Sequence, residues 1–294
     1  MKKVSIALVA MCLAIPALAA APVASAAATA APAAAAPGDA YYLSLGDSLA
    51  ASYQPVGRWT HGYVDQLLRR LRHETPELQP RKLGCPGETA ASMRDGSSSP
   101  CSYPQGSQLD QALAFLGRHA DRTALITIDI GANDVVEGCL DDATALIDEA
   151  CAEDVLVTVR ADLTAILGAL RTAAPDVPIV GMTYYDPFLG FWILGPRGRH
   201  VARADQAIFE LMNARLQEAF DGAGVPVADV AGAFEISNFE DRVRLPGFGR
   251  VPVNVARACT WTWMCAAPPA GPDIHANTAG YRVIARAFVQ AIPA

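Results

Sequence analysis

Two residues in this chain have the type and setting to carry out covalent chemistry. They are Ser48, in Gly46-Asp47-Ser48-Leu49, and His275, in Gly271-Pro272-Asp273-Ile274-His275-Ala276-Asn277. A serine hydroxyl is a poor nucleophile until a base takes its proton, and that base is usually a histidine. Of the five histidines, His61 and His73 bracket an amphipathic stretch, His119 ends another, and His200 stands among Arg197, Arg199 and Arg203. His275 differs, because Asp273 stands two residues before it and the last apolar-periodic stretch follows it. Either Asp273 or a backbone carbonyl near Pro272 can hold its imidazole; a carbonyl fixes the tautomer but stabilises the imidazolium less than a carboxylate does. Acyl transfer also needs donors for an oxyanion. Gly87, in Gly84-Cys85-Pro86-Gly87-Glu88-Thr89, lets a backbone N–H approach closely because it has no Cβ. Asn133, in Gly131-Ala132-Asn133-Asp134, can aim an amide into the same space. Each of these taken singly is ordinary turn chemistry.

The elements that must position these residues alternate. Tyr41 to Leu45 reads as a buried strand running into the Ser48 turn, and His61 to His73 as an amphipathic helix. Leu78 to Leu83 reads as a strand ending at the Gly87 turn, and Gln105 to His119 as a helix. Thr123 to Ile130, rich in β-branched residues, is a strand that delivers Asn133. A helix over Val155 to Ala173, a strand over Val177 to Thr183, a helix over Gly198 to Phe220 and a strand over Val225 to Val230 follow. Asn277 to Ile292 closes the chain as a helix, with Tyr281, Ile284, Phe288 and Val289 as its expected inner face. This alternation predicts an α/β fold with a mainly parallel central sheet covered on both faces. Two stretches, Asp186 to Pro196 and Ala231 to Pro272, read as long irregular loops. They hold the apolar clusters Phe188, Leu189, Phe191, Trp192, Ile193, Leu194 and Phe248, Trp261, Trp263, Met264. Such clusters either pack beneath the loops or line a hydrophobic acyl groove; the second reading favours lipid or aryl esters over sugar acetates.

Residues 1–26 read as a signal peptide, with Lys2 and Lys3, an apolar run from Ile6 to Leu18, and small-residue cleavage sites after Ala19 or Ala26. Residues 27–38 are an Ala/Pro-rich linker with nothing to build a core, and 39–294 is long enough for one large domain. A secreted, extracellular protein follows from that leader. Removing Cys12 with it leaves six cysteines, an even number that suits three disulfides in an oxidising compartment. The simplest pairing joins neighbours: Cys85–Cys101, Cys139–Cys151 and Cys259–Cys265. A zinc site is the rival, weakened by the lack of any Cys-x-x-Cys. The net charge of −7 and pI near 5.2 argue against a nucleic-acid binder or a polybasic membrane anchor.

With the four blocks taken in order, Gly46-Asp47-Ser48-Leu49, the Gly87 turn, Gly131-Ala132-Asn133-Asp134 and the Asp273/His275 loop, the chain resembles the SGNH, or GDSL, hydrolase family. The ending His275-Ala276-Asn277-x-x-Gly280-Tyr281 and three loop disulfides give it the look of the secreted actinobacterial esterases and lipases. The resemblance implies a three-layer α/β/α sandwich of the flavodoxin-like kind. In it Ser48 is the acylated nucleophile, His275 the base and then the acid, and the Ser48 N–H, Gly87 and Asn133 the oxyanion hole. It implies no metal and no organic cofactor. One departure stands out: the family's acid normally precedes the histidine by three residues, and here that position is Pro272. The expected activity is hydrolysis of carboxylic esters by a monomer, with transient contact to a lipid interface. A carbohydrate O-acetylesterase with the same mechanism is the alternative, and a non-catalytic secreted binding module is a further one.

Overall fold

A computed structural model describes residues 40–293 except 58 and 142. The leader and linker readings lie outside these residues. The elements are, in order, β1 (Tyr41–Gly46), α1 (Tyr63–Leu71), β2 (Gln79–Lys82), α2 (Ala90–Asp95), α3 (Gln108–His119), β3 (Thr123–Asp129), α4 (Ala132–Cys139), β4 (Leu140–Asp141), β5 (Leu146–Ile147) and α5 (Glu149–Ala173). Then come β6 (Ile179–Met182), α6 (Pro196–Gly222), β7 (Val227–Ala228), α7 (Val230–Phe234), β8 (Arg242–Leu245), β9 (Gly249–Pro252), α8 (Val253–Trp261) and α9 (Thr278–Ala291).

The central sheet is five-stranded in the order β2-β1-β3-β6-β7, and every pairing in it is parallel. That order fixes the layers. The chain steps one way from β1 to β2 and the other way from β2 to β3, β6 and β7. Right-handed crossovers therefore put α1 on one face and α3, α5 and α6 on the other. α9 packs against α1, and α2, α3, α4 and α6 all pack against α5. The three-layer expectation holds. The strand order reverses between β1 and β3, and the crevice at their carboxyl ends is where such sheets hold ligands. The β1 turn carries Ser48 and β3 leads to Asn133.

The core strands follow from their composition. Leu43 and Leu45 of β1 and Ile126 and Ile128 of β3 are fully buried. β2 is the opposite case, an edge strand of Gln-Pro-Arg-Lys with mostly exposed side chains. The amphipathic α1 buries Tyr63, Val64 and Leu67, and the ring of Tyr63 stacks on Phe288 of α9.

Several sequence expectations are corrected. Asn133 sits in the first turn of α4, a helix absent from the sequence reading, which starts behind Gly131 at φ +114°. α5 begins at Glu149, six residues earlier than the apolar periodicity suggests, because Asp148 caps it by accepting from the Cys151 N–H at 2.8 Å. The two stretches read as irregular contain a 3-10 helix, Phe188–Leu194, and the elements α7, β8, β9 and α8. Val289 is 38% exposed, and Ala285 fills the inner face of α9 in its place. The six cysteines form the three local pairs, which leaves none for zinc. Among the described residues no helix is long and apolar enough to cross a membrane.

Candidate active site

The Ser48 turn is made by close approach. Gly46 has φ +142°, and a Cβ there would collide with the carbonyl oxygen of Asp129 on β3. Gln108, at the start of α3, clamps the same residue from the other side: its Oε1 accepts from the Gly46 N–H at 2.6 Å and its Nε2 donates to the Gly46 carbonyl at 3.0 Å. The turn is then held by two buried carboxyls. Asp47 Oδ1 accepts from the Leu49 N–H at 2.8 Å, and Asp129 Oδ2 from the Ala50 N–H at 3.2 Å. The Tyr184 hydroxyl donates to Asp47, and the Tyr63 hydroxyl donates to Asp129. The two carboxyls also contact each other. Burial, and then the neighbouring Asp47, push Asp129 well above the usual carboxylate range, and burial raises Asp47 as well. Among the described residues the Ser48 N–H has no internal acceptor and is free for a ligand.

His275 reaches this turn from the loop before α9. Its Nε2 lies 2.8 Å from Ser48 Oγ. Its Nδ1 lies 2.7 Å from Asp273 Oδ1, which also accepts from the His275 backbone N–H at 2.9 Å. Burial alone would raise Asp273, but the hydrogen bonds from His275 outweigh it and hold the carboxyl below its ordinary value. The two-residue spacing therefore does not keep Asp273 from the imidazole: the side chain curls back over its own loop. That loop is pinned to the strip enclosed by the Cys259–Cys265 bridge, since the Trp263 N–H donates to the His275 carbonyl at 2.9 Å and Thr262 pairs with Ala276. The ring of Tyr53 packs on the imidazole with centroids 4.3 Å apart.

Asn133 Nδ2 donates to the Glu88 carbonyl at 2.9 Å, which orients the amide, and Asn133 lines the cleft beside Ser48. Gly87, one residue before Glu88, has φ +81° and an N–H without an internal acceptor among the described residues. Gly87 is not itself in the lining of the cleft, but its turn abuts the Ser48 turn through the Cys85 N–H bonded to the Gly46 carbonyl at 3.1 Å. Two acids fix this side. Glu88 is fully buried and accepts from Ser92 at 2.5 Å and from Gln108 at 3.2 Å. Asp134 accepts the Ala90 N–H with both oxygens, and burial raises it to about 7.

The cleft beside Ser48 is mostly apolar, with Leu49, Val136, Tyr185, Phe209 and Ile274 among its walls. Neither apolar cluster singled out in the sequence supplies them. Phe188, Leu189, Trp192 and Met264 are buried in the core, and Leu194 and Phe248 point outward. Sequence reasoning missed Asp47, Asp129, Gln108, Glu88 and Asp134 as parts of the site. An acid inside the apolar run Thr123 to Ile130 is the signal that could have found Asp129.

The family model for the GDSL-like Lipase/Acylhydrolase family matches residues 44–283. The chain belongs to that family. As a member it is an ester hydrolase. A protein described as a GDSL-like lipase from Parabacteroides merdae is similar in structure, with TM-score 0.52 and 16% identity over 86% of this chain and 95% of that one. The acetylxylan esterase Axe2 of Geobacillus stearothermophilus gives 0.51 and 16% over 87% and 95%. The lipase Lip_vut3 from a goat rumen metagenome gives 0.52 and 15% over 86% and 97%. At such identities these likenesses speak for the fold alone. No curated protein matches the chain.

Proposed function

We propose that this GDSL hydrolase is a secreted serine esterase that cleaves carboxylic esters through an acyl-enzyme on Ser48. The observation that carries the reading is the line Ser48 Oγ–His275 Nε2, 2.8 Å, continued by His275 Nδ1–Asp273 Oδ1, 2.7 Å. His275 takes the Ser48 proton as Oγ attacks the ester carbonyl. Asp273 holds the tautomer that leaves Nε2 able to accept, and steadies the imidazolium that forms. The Ser48 N–H, the Gly87 N–H and the free N–H of Asn133 receive the oxyanion. His275 then protonates the departing alcohol, and water repeats the sequence to release the acid. The chemistry needs no metal or organic cofactor.

The apolar lining of the cleft receives the acyl group, which favours alkyl or aryl esters over acetylated carbohydrate. The three disulfides support an extracellular location, and residues 1–26 are proposed as the leader that directs it, followed by the linker 27–38. Hydrolysis of p-nitrophenyl acetate, p-nitrophenyl decanoate and acetylated xylan tests the reading. The two aryl esters are expected to be cleaved and the xylan spared. Release of acetate from xylan alone moves the enzyme to the carbohydrate esterases, and inertness toward all three removes it from the carboxylic esterases.

A further inference from the structure

The hairpin β8–β9 carries charges that its own fold does not use. Its register sets Arg244 directly opposite Arg250, and like charges so placed destabilise a strand pair. Alternation turns Leu245 and Val251 inward, where both are buried, and puts Arg242, Arg244 and Arg250 together on the other face. Across a groove lined by Trp192, Phe248, Arg242 and Arg250 stands a fourth arginine, Arg199 of α6. Among the described residues none of these four pairs with a carboxylate. Arg250 donates to the Arg242 carbonyl at 3.0 Å, and the Arg199 guanidinium lies 5.5 Å from the Trp192 ring centre. The adjacent Asp241 is engaged by the Asn238 amide at 2.9 Å. In a chain of net charge −7, this is a local reversal of sign.

Apolar side chains stand at the same place. Phe248, in the turn between the strands, is 50% exposed, and Leu194, between the groove residues Ile193 and Gly195, is 69% exposed. Unpaired guanidinium groups beside outward Phe and Leu side chains suit a boundary where phosphate meets hydrocarbon. A nucleic acid or an acidic protein would engage the arginines and has less use for the two apolar side chains. The position is also near the cleft. The 3-10 helix Phe188–Leu194 follows directly on Tyr184, Tyr185 and Pro187, which wall the cleft, and such a seven-residue stretch reaches about 14 Å.

We propose that the arginine face of β8–β9, with Phe248 and Leu194, docks this protein on an anionic lipid surface. Phe248 and Leu194 enter the headgroup–acyl boundary and Arg199, Arg242, Arg244 and Arg250 meet the phosphates. The inference does not depend on the esterase reading, because binding is measured apart from hydrolysis. Co-sedimentation of the Ser48→Ala protein with phosphatidylcholine vesicles, with and without phosphatidylglycerol, is the test. Partition is expected to be at least about tenfold stronger on the anionic vesicles and to fall with salt. Arg242→Ala/Arg250→Ala should weaken it by more than about tenfold, at roughly fivefold per arginine. Phe248→Ala should weaken it at both salt levels, while p-nitrophenyl acetate hydrolysis by the same substitution in the chain that keeps Ser48 stays unchanged. Equal binding to neutral and anionic vesicles, no binding to either, or wild-type partition of the arginine variant overturns the proposal. So does binding to heparin without binding to vesicles, which would make the occupant a soluble polyanion. Salt dependence of the unmutated face decides between these outcomes even if a variant fails to fold.

Discussion

At the scale of single residues, the division of labour in the site turns on carboxyls in different surroundings. Asp273 is held below its ordinary value by two hydrogen bonds from His275, whereas burial and Asp47 push Asp129 up. Asp273, in contact with Nδ1, is the one placed to steady an imidazolium. Asp273→Asn is therefore expected to cut kcat/KM by at least about a hundredfold, the scale on which positioned acid–base groups contribute. A loss under about tenfold, roughly 1.4 kcal/mol of barrier, would reduce the machinery to Ser48 and His275. Asp129→Asn keeps the shape and one acceptor oxygen, so it should spare activity more than Asp129→Leu, which strands both the Tyr63 hydroxyl and the Ala50 N–H without acceptors. Comparing the thermal midpoints and turnover of the two variants checks this; equal damage from both would mean that the pair acts through its shape alone. Asn133 is oriented in the same way, by an N–H donated to the Glu88 carbonyl.

At the scale of elements, each disulfide closes next to a loop that frames the site. Cys85–Cys101 brackets the Gly87 turn, Cys139–Cys151 ties the end of α4 to the start of α5, and Cys259–Cys265 encloses the strip that pairs with the His275 loop. Closing a loop near 15 residues is worth roughly 3 kcal/mol in the chain-entropy model, so Cys85→Ala/Cys101→Ala should lower stability by about that amount. Cys259–Cys265 closes a much shorter loop, so Cys259→Ala/Cys265→Ala should lower turnover more than it lowers the denaturation midpoint. Denaturant titration beside ester hydrolysis separates the two effects. A pair of variants that lose activity only in proportion to unfolded protein would contradict the assignment. The strands and long helices were legible in the sequence because burial on one or both faces writes a period of two or 3.6 into the chain. α4 was not legible: it starts on Gly131, has only Val135 and Cys139 as buried apolar anchors, and reads as a turn. The Ser48, Gly87, Asn133 and His275 blocks were legible as types at strand ends. Gln108 and Glu88 were not, since a Gln and a Glu at helix starts are common and only the folded register brings them onto Gly46 and Ser92.

At the scale of the whole molecule, several buried acids titrate together. Burial raises Asp134 to about 7 and Asp205 to about 6, and pushes Asp129 and Asp186 well above the usual carboxylate range. The unfolded chain releases these protons near pH 4. Between there and each folded value the native state binds more protons than the unfolded one, so stability falls as pH rises. Asp273 acts with the opposite sign, its contribution being lost as pH falls through its depressed value. The thermal midpoint is accordingly expected to be highest at about pH 4 and to decline toward pH 8. Asp134→Asn should flatten the part of that decline up to about pH 7. Scanning calorimetry across this range checks it, and a midpoint that climbs steadily from pH 5 to 8 would contradict the upward shift of these groups.

The central claim is that Ser48 is the acylated nucleophile, and covalent capture tests it most directly. Reaction of the folded protein with a fluorophosphonate, followed by peptide mass mapping, should place a single phosphonyl adduct on Ser48. Hydrolysis of p-nitrophenyl esters should fall in proportion to labelling, and the Ser48→Ala protein should neither label nor turn over. An adduct on another residue, or a folded Ser48→Ala protein that keeps wild-type turnover, would contradict the account.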